Sequence, residues 1–595
     1  MPKFIHSPAP YLDFSVLSFQ LASSARLAAE KLRKSKRLAE ENLNVEICNS
    51  NCIIISTITN SSLPSGGNGI VSGYVMGPNG IVRGDPAQNL ALDRDIGTRP
   101  GQFTYLRIDD SGATVGSDAF GHGMLYLKEC DEFAIVSNRS HLISILLKEI
   151  GIPLSLDLTA TASLLVSDNA FFSQQPSTRN GLLSGTETVS LDTEATLYLG
   201  KVKYTRNPYF EKMIYPTDRY ADLLEEGLND VISNCTSVLN DEAFSRFLLD
   251  LSGGKDSRMV LAAVMKVPGW RDRVLINSKD VSSNNDLQVS CGLANLLGLK
   301  FNDEIGGGTE SISVEDNITI WRSYFLGSYH RVGAAPWSNL GRRTENVTLS
   351  GGSGELLRPF WSSAFNLPSR INDMRSILNK ISRPGTISIP QEFREQALRQ
   401  VRSELESMPG RTAIEKLDAH YFFFRNRTHF GMRAFSTYHE HLTVFPLLSK
   451  ALVAAGWRCS EDERGNLAIP RDFLRKLHPV LASLPFEGGK YLKWEGMPGP
   501  IQWLDEDRSQ WDAAQGRLAK INAASRGGKK VIFSWRDWPG TLIKHIRAAY
   551  DGTPGLSRLI TEPDLDVILS GVLSNDRISQ ARGSVIMAAH DAVHP

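Results

Sequence analysis

The chain has 595 residues, with 65 Lys plus Arg against 65 Asp plus Glu, so its formal net charge is zero. This balance argues against non-specific nucleic-acid binding as the main task, and the length indicates roughly two to four domains. No apolar stretch approaches the length of a membrane span, and the N-terminal residues lack a signal-peptide pattern. The six cysteines have neither disulfide-framework nor zinc-site spacing. We therefore expect a cytoplasmic protein without nucleic-acid or membrane partners.

Residues up to about 203 are rich in β-branched residues, glycine and turn signals, which predicts mostly antiparallel sheet. Candidate strands lie at 52–59, 67–75 and 102–108. One segment, 25–40, carries apolar residues at helical spacing with basic residues between them and predicts a helical insert. Its charges are typical of a solvated face, and a docking surface for an acidic partner is the alternative.

From about residue 217 the pattern changes to long helical segments that alternate with short apolar strands. This alternation predicts a parallel sheet with helices on its faces. The apolar run 244–251 predicts a buried strand, and the run 258–265 predicts a helix. The junction between them should lie at the carboxyl end of a strand, where such sheets bind ligands.

That junction predicts an anion site. Two glycines let a ligand approach the backbone, and the first turn of the helix offers free N–H groups to a phosphate. The serine hydroxyls can donate hydrogen bonds, and the carboxylate is suited to a Mg²⁺ ion carried by the phosphate. The Walker A ending is absent, and a glycine-rich turn that binds nothing remains the alternative. The junction consists of Ser252, Gly253, Gly254, Lys255, Asp256 and Ser257.

The pattern S-G-G-x-D-S resembles the pyrophosphate loop of the ATP pyrophosphatases, which cleave ATP between the α- and β-phosphates. More of the chain is similar to the asparagine synthetase and β-lactam synthetase family, through 118–127 and 133–138 in the first half and 273–278, 349–359 and 445–453 in the second.

This resemblance implies a two-domain chain of α/β and α+β class. Residues 1–205 would form a glutaminase-like (Ntn-type) antiparallel sandwich that lacks the catalytic Cys. Residues 212–595 would form an ATP-pyrophosphatase (adenine nucleotide α hydrolase-like) parallel-sheet domain with synthetase activity.

Three departures from the family pattern narrow the expected chemistry. Position 2 is Pro2 and no Cys precedes Cys48, so we do not expect glutamine hydrolysis or ammonia as the nucleophile. Glu355 stands where the family has a metal-binding Asp, which keeps the oxygen chemistry with a longer reach. Gly352 stands where β-lactam synthetases place a catalytic Tyr, which disfavours closure of a four-membered ring.

With these departures, the resemblance implies activation of a carboxylate as an acyl adenylate, followed by attack of an amine. The chain most resembles lasso peptide cyclases, macrolactam synthetases that join the N-terminal amine of a ribosomal precursor peptide to an Asp or Glu side chain. This implies ATP and Mg²⁺ as cofactors, with a leader-binding protein and a leader peptidase as further partners. The alternatives are another amide ligase or a β-lactam-type synthetase acting on a small amino-acid substrate, and a non-catalytic scaffold that binds the precursor.

The resemblance also implies roles for individual residues. Asp256 and Glu355 would hold Mg²⁺, and Lys490 would be the late catalytic lysine, with Lys493 as its competitor. Glu440 lies in the segment where β-lactam synthetases place a second catalytic carboxylate. Further residues expected around ATP, besides those of the junction, are Leu251, Ile276, Ser350 and Gly351.

Overall fold

The structure is a computed structural model with a mixed α/β fold: antiparallel sheets in the N-terminal part and a parallel five-stranded sheet in the C-terminal part. It describes residues 11–57, 69–77, 80–84, 89–109, 112–278, 286–302, 314–332, 345–367, 373–382, 385–438, 441–495, 497 and 538–595.

Two antiparallel sheets of six strands each form the N-terminal part, in the orders β10-β8-β9-β1-β3-β2 and β12-β11-β7-β6-β4-β5. A single apolar cluster draws Val16 from the first sheet and Leu106 from the second, so the two sheets share a core. The strands are β1 (Phe14–Phe19), β2 (Asn44–Asn49), β3 (Cys52–Ser56), β4 (Gly69–Gly77), β5 (Gly80–Arg83), β6 (Gly101–Asp109), β7 (Gly112–Ser117), β8 (Tyr126–Glu129), β9 (Phe133–Ser137), β10 (Thr186–Thr188), β11 (Thr193–Tyr198) and β12 (Lys201–Arg206).

The strands predicted at 52–59, 67–75 and 102–108 are confirmed as β3, β4 and β6 where the structure describes them. The predicted helical insert is present as two helices, because the first ends at Arg33 and the Ser35 side chain caps the second by accepting from the Leu38 N–H. Helices of this part are α1 (Ala22–Arg33), α2 (Lys36–Glu40), α3 (Ser140–Ile150), α4 (Leu158–Leu165) and α5 (Ala170–Ser173), with 3₁₀ turns at Asn89–Leu92 and Ile96–Thr98.

The C-terminal sheet is parallel throughout its described strands and has the order β15-β14-β13-β16-β17. The prediction of a parallel sheet in this half is confirmed. The chain moves outward from β13 in both directions, so the order reverses between β13 and β16, where sheets of this kind bind ligands. The strands are β13 (Arg246–Asp250), β14 (Val274–Asn277), β15 (Lys300–Phe301), β16 (Asn346–Leu349) and β17 (Leu442–Val444).

Helices surround this sheet, and none of those described has both the length and the apolar character needed to cross a bilayer. The 3₁₀ turns lie at Gly354–Leu357, Glu487–Gly489 and Pro554–Arg558. The helices are α6 (Pro208–Ile214), α7 (Tyr220–Leu239), α8 (Lys255–Val264), α9 (Trp270–Arg273), α10 (Asp286–Leu297), α11 (Val314–Phe325), α12 (Phe360–Ala364), α13 (Met374–Ile381), α14 (Gln391–Ser407), α15 (Ala413–His420), α16 (Arg433–Thr437), α17 (Lys450–Arg458), α18 (Glu461–Gly465), α19 (Ala468–Leu477), α20 (Pro479–Ser483), α21 (Trp538–Asp551), α22 (Glu562–Leu573) and α23 (Arg577–Val593).

A π-helix, Tyr421–Met432, joins the two parts. The guanidinium of Arg427 donates to the carbonyl oxygens of Gly121 at 2.9 Å and Val189 at 3.0 Å, both in the N-terminal part. Because π-helices are rare and concentrate at functional sites, this segment indicates a functional site in the region that it contacts.

Candidate functional site

The loop between β13 and α8 has the predicted strand–loop–helix context. Gly254 is the N-cap residue and α8 begins at Lys255. Inside the loop, Ser257 Oγ accepts from the Ser252 N–H at 3.1 Å and lies 3.1 Å from Ser252 Oγ. The loop is therefore folded back on the first turn of the helix, whose N–H groups have no helical carbonyl to bind.

The backbone N–H groups of the loop do not all face a ligand. The Gly253 N–H donates to Asp286 Oδ1 at 2.7 Å, and the Gly254 N–H donates to Ser252 Oγ at 3.1 Å. The donors left for an anion are those of the first turn of α8, together with the two serine hydroxyls. Asp286 begins α10, the next described helix after β14, and was not predicted as a site residue from the sequence.

A second loop, Ser350–Glu355, follows β16 and packs against the first at very short range. A Cβ on Gly351 would lie 2.5 Å from Ser257 N, and one on Gly354 would lie 2.5 Å from Asp256 Cγ. Both distances are far below van der Waals contact, so these two positions require glycine for the loops to meet.

The two loops enclose a cavity of about 380 Å³ at the carboxyl ends of the strands. Its volume is in the range of small-molecule and cofactor sites. The structure brings most of the predicted ligand residues together here. The lining includes Leu251, Ser252, Gly254, Asp256, Ser257, Ser350, Gly351 and Glu355, and also Asp250, Asn277, Ser278, Asp286, Gly352 and Phe430.

Three of the residues predicted around ATP are not part of that lining. Ile276 is fully buried, because buried and partly buried residues alternate along β14 and Ile276 is on the buried side. Gly253 is covered by two other side chains, since a Cβ at this position would lie 3.0 Å from Asp286 Oδ1 and 3.0 Å from Glu487 Cβ. Lys255 points toward the ring of Phe486, with Nζ 5.7 Å from its centroid.

A larger cavity, about 730 Å³, lies beside the edge strand β12. Carboxylates from Glu187, Asp192 and Glu211 are among its lining groups. Arg179, Arg206 and Lys416 also line it, and none of the predicted loop residues does, so the chemistry predicted for the loop residues belongs to the smaller cavity.

A bidentate ion pair occupies the predicted metal site. Arg358 Nη1 lies 2.7 Å from Asp256 Oδ1, and Nη2 lies 2.8 Å from Oδ2. The same guanidinium is 3.6 Å from Glu355 Oε1. Sequence reasoning missed Arg358, whose only signal is its place three residues after Glu355.

The negative charge of the Glu355 carboxylate is only partly balanced by its neighbours. Burial, followed by the charge of Asp256, raises its pKa to about 7, while Arg358 opposes the shift. Its Oε2 atom is buried and has no hydrogen-bond partner among the described residues. An uncompensated oxygen beside a second carboxylate fits a cation.

Magnesium suits this donor set better than a metal enclosed by protein ligands. No group of three or more His, Cys, Asp or Glu side chains with metal-binding geometry occurs among the described residues. Mg²⁺ typically binds through one or two carboxylates and takes its remaining ligands from phosphates and water. Asp256 and Glu355 are the residues that would hold it.

Glu355→Gln should stabilise the protein in the absence of Mg²⁺. The change removes a charge that burial and Asp256 disfavour, and we expect the free energy of unfolding to rise by about 1 kcal/mol. Because the pKa of Glu355 is raised in the folded state, the wild type loses stability as pH rises from about 4.5 toward 7. The advantage of Glu355→Gln should therefore be larger at pH 8 than at pH 5, as thermal unfolding can measure.

Glu404→Gln is the matched control. Glu404 is also a buried carboxyl with a raised pKa, but both its oxygens are paired with Arg179, at 3.0 Å to the backbone N–H and 3.2 Å to Nε. Its replacement should destabilise the protein. A Glu355→Gln variant that is destabilised at pH 8 would show that Glu355 is already compensated.

The late lysine lies on a tight turn docked against the first loop. The Glu487 N–H donates to the Gly253 carbonyl oxygen at 2.9 Å, and the Phe486 N–H donates to the Lys490 carbonyl oxygen at 2.8 Å. Between them, Gly488 and Gly489 have φ values of +67° and +68°, a conformation that favours glycine. The turn thus places Lys490 beside the loop, with its side chain exposed.

Arg258, from α8, fixes the base of this turn. Its guanidinium lies 3.7 Å from the centroid of the Phe486 ring and donates to the carbonyl oxygens of Leu484 at 2.8 Å and Leu481 at 3.2 Å. The helix that follows the anion loop therefore also carries the lysine turn.

Electrostatic effects link Lys490 to the loop. Its charge contributes to lowering the pKa of Lys255, after burial and Arg358, and it opposes the rise in the pKa of Glu487 that burial and Asp286 cause. Lys493 is also exposed and lies three residues further along. Neither lysine is part of the cavity lining.

Glu440 lies outside the described residues, so its predicted role stays a prediction. Neither a protein-family model nor a curated protein matches this chain.

Proposed function

We propose that the chain is an ATP-dependent amide-bond-forming ligase that releases AMP and pyrophosphate. The observation that carries this proposal is the packing of the 252–257 loop, which contains Asp256 and two serine hydroxyls, against the 350–355 loop, which contains Glu355, at the point where the strand order reverses. A site with anion donors and a cation-binding carboxylate pair suits a metal-bound polyphosphate.

The phosphates would contact the first turn of α8 and the hydroxyls of Ser252 and Ser257. Ser350 and Gly351 would lie near the α-phosphate, and the ends of β13 and β14 would border the nucleoside. Mg²⁺, when bound, supplies positive charge that neutralises the departing pyrophosphate. Arg358 orients the Asp256 carboxylate through its paired hydrogen bonds.

The reaction that follows is acyl transfer. A carboxylate of the substrate attacks the α-phosphorus and forms an acyl adenylate as pyrophosphate leaves. An amine then attacks the acyl carbon, AMP leaves, and the amine loses a proton as the amide forms. Lys490, on the exposed turn beside the loop, would stabilise the negative charge that develops on the carbonyl oxygen and the leaving phosphate.

The substrate class comes from the resemblance to lasso peptide cyclases. In this proposal residues 1–205 form an Ntn-type glutaminase-like domain without glutaminase activity, and residues 212–595 form the ATP-pyrophosphatase-type synthetase domain. The enzyme acts in the cytoplasm on a ribosomal precursor peptide and closes a macrolactam between its N-terminal amine and an Asp or Glu side chain. A leader-binding protein and a leader peptidase would be its partners.

The experiment compares peptides with free amino acids as substrates. Purified protein with ATP and Mg²⁺ is incubated with synthetic peptides encoded next to its gene, or with the free amino acids, and AMP is quantified together with the mass of the peptide. We expect AMP with a peptide only, and a product lighter by one water. AMP formation with free amino acids alone would indicate a ligase for small substrates, and binding of the peptide without AMP would indicate a scaffold.

A further inference from the structure

The segment that begins at Asp118 forms a fixed loop in the N-terminal part. The buried Asp118 carboxylate accepts from the N–H groups of Phe120 at 3.0 Å, His122 at 3.2 Å and Gly123 at 2.8 Å. Gly121 adopts a φ of +68° between them. One carboxylate therefore sets the backbone of the loop and the direction of the His122 side chain.

His122 points out of the N-terminal part and into the wall of the nucleotide cavity. Its ring is fully buried, with Nε2 3.2 Å from Ser353 Oγ and 3.3 Å from Asn426 Nδ2. The ring also meets Phe445 edge to face, with centroids 5.3 Å apart. Burial and the nearby charge of Arg427 lower the pKa of His122 to about 3, so the imidazole is neutral at physiological pH.

Ser353 has an unusual backbone. Its φ is +66°, the left-handed region that costs a residue with a Cβ, and it caps the 3₁₀ turn Gly354–Leu357 without a cap bond from its own side chain. The hydroxyl is within hydrogen-bond distance of His122 instead. Glu355, a predicted ligand of Mg²⁺, lies two residues further on.

The residues around the contact between His122 and Ser353 are closely packed. A Cβ on Gly431 would lie 2.7 Å from His122 Cα, and one on Gly352 would lie 2.4 Å from Phe445 Cε1. A displacement of the histidine must therefore move the Ser350–Glu355 loop, because close-packed interiors transmit such shifts.

We propose that His122 is a positioning residue, which holds Ser353 in its left-handed conformation and so sets the position of Glu355 in the cation site. Through this contact the N-terminal part is a component of the proposed nucleotide site. The inference rests on the proposed function for its consequence in catalysis, but its structural claim, control of the 350–355 loop, stands independently of ATP.

The test has two readouts. Amide hydrogen exchange of residues 351–358 reports on the loop itself, and the Mg²⁺ concentration for half-maximal ATP turnover reports on the cation site. We expect His122→Leu and Ser353→Ala each to raise the exchange rate of residues 351–358 and the half-maximal Mg²⁺ concentration about tenfold. Loss of a positioning hydrogen bond has effects of this size at metal sites. Because both changes remove the same contact, the double variant should be no worse than either single variant.

Glycine at position 353 provides the rescue. Gly adopts positive φ without support, so Ser353→Gly in the His122→Leu background should return loop exchange most of the way to the wild-type rate. His420→Leu is the control, since His420 is equally buried, has a lowered pKa and donates from Nε2 to the Ser177 carbonyl oxygen at 2.9 Å, far from the loop in sequence. It should leave exchange of 351–358 unchanged.

Wild-type exchange of 351–358 in both His122→Leu and Ser353→Ala would overturn the inference. So would an equal rise of exchange in β6 and β7, which would mark His122 as a general core residue. Absence of ATP turnover in the wild type would contradict the proposed function alone, because the exchange measurement still decides whether His122 positions the loop.

Discussion

Asp256→Asn is expected to abolish ATP-dependent adenylation while the fold stays intact. The substitution removes one of the two charges that would hold Mg²⁺ and changes little volume, so we expect a loss of activity of about a hundredfold or more. Arg358 loses its charged partner but keeps Glu355 within 3.6 Å. The cost in stability should therefore be about 1 kcal/mol, which leaves a folded protein for the assay.

Asp222→Asn is a control of matched chemistry. Asp222 also makes a two-point contact with an arginine, Arg219, at 2.7 and 2.8 Å, but on the exposed surface of the chain. The Asp222→Asn variant should release pyrophosphate at the wild-type rate. Activity of Asp256→Asn within a few fold of the wild type would show that Asp256 is not a metal ligand.

Lys490→Ala is expected to lower the rate of amide formation about a hundredfold and to weaken peptide binding much less. Negative charge develops on the carbonyl oxygen and on the leaving phosphate only as the amine attacks, so a lysine aimed at both stabilises the transition state more than the ground state. Single-turnover rates, measured with peptide affinity in parallel, separate the two effects.

Lys493→Ala is the control for this turn. Both lysines are exposed, but the charge of Lys490 is the one that acts on Lys255 and Glu487 next to the loop. A nearly inactive Lys493→Ala variant beside a nearly normal Lys490→Ala variant would show that Lys493, and not Lys490, is the catalytic lysine. Two nearly normal variants would mean that the catalytic cation lies elsewhere.

The strand, the loop and the helix around Ser252 could be predicted from sequence because their signals are local. An apolar strand, a glycine-rich turn and a run of helix formers occupy about twenty consecutive residues, and each follows from its own neighbours. The parallel sheet could be predicted for the same reason, since alternation of strand and helix patterns is visible along the chain.

The partners that complete the site could not be predicted, because they come from distant positions. Arg358 is 102 residues from Asp256, and Ser353 is 231 residues from His122. No periodic pattern relates residues at such separations, and only the tertiary packing of two loops brings them together. Ile276 lies outside the cavity lining, because residues of β14 alternate between a buried and a less buried side and the sequence does not show which side borders the cavity.

The identity of the nucleotide product decides whether this site cleaves ATP between the α- and β-phosphates, as we propose. ATP is supplied with Mg²⁺ and the peptide substrate, and the reaction is followed by separate quantification of AMP, ADP, pyrophosphate and inorganic phosphate. Asp256→Asn serves as the blank for contaminating hydrolases. We expect AMP and pyrophosphate in equal amounts, matched by the amount of amide formed. ADP and inorganic phosphate, formed in step with the amide, would contradict it.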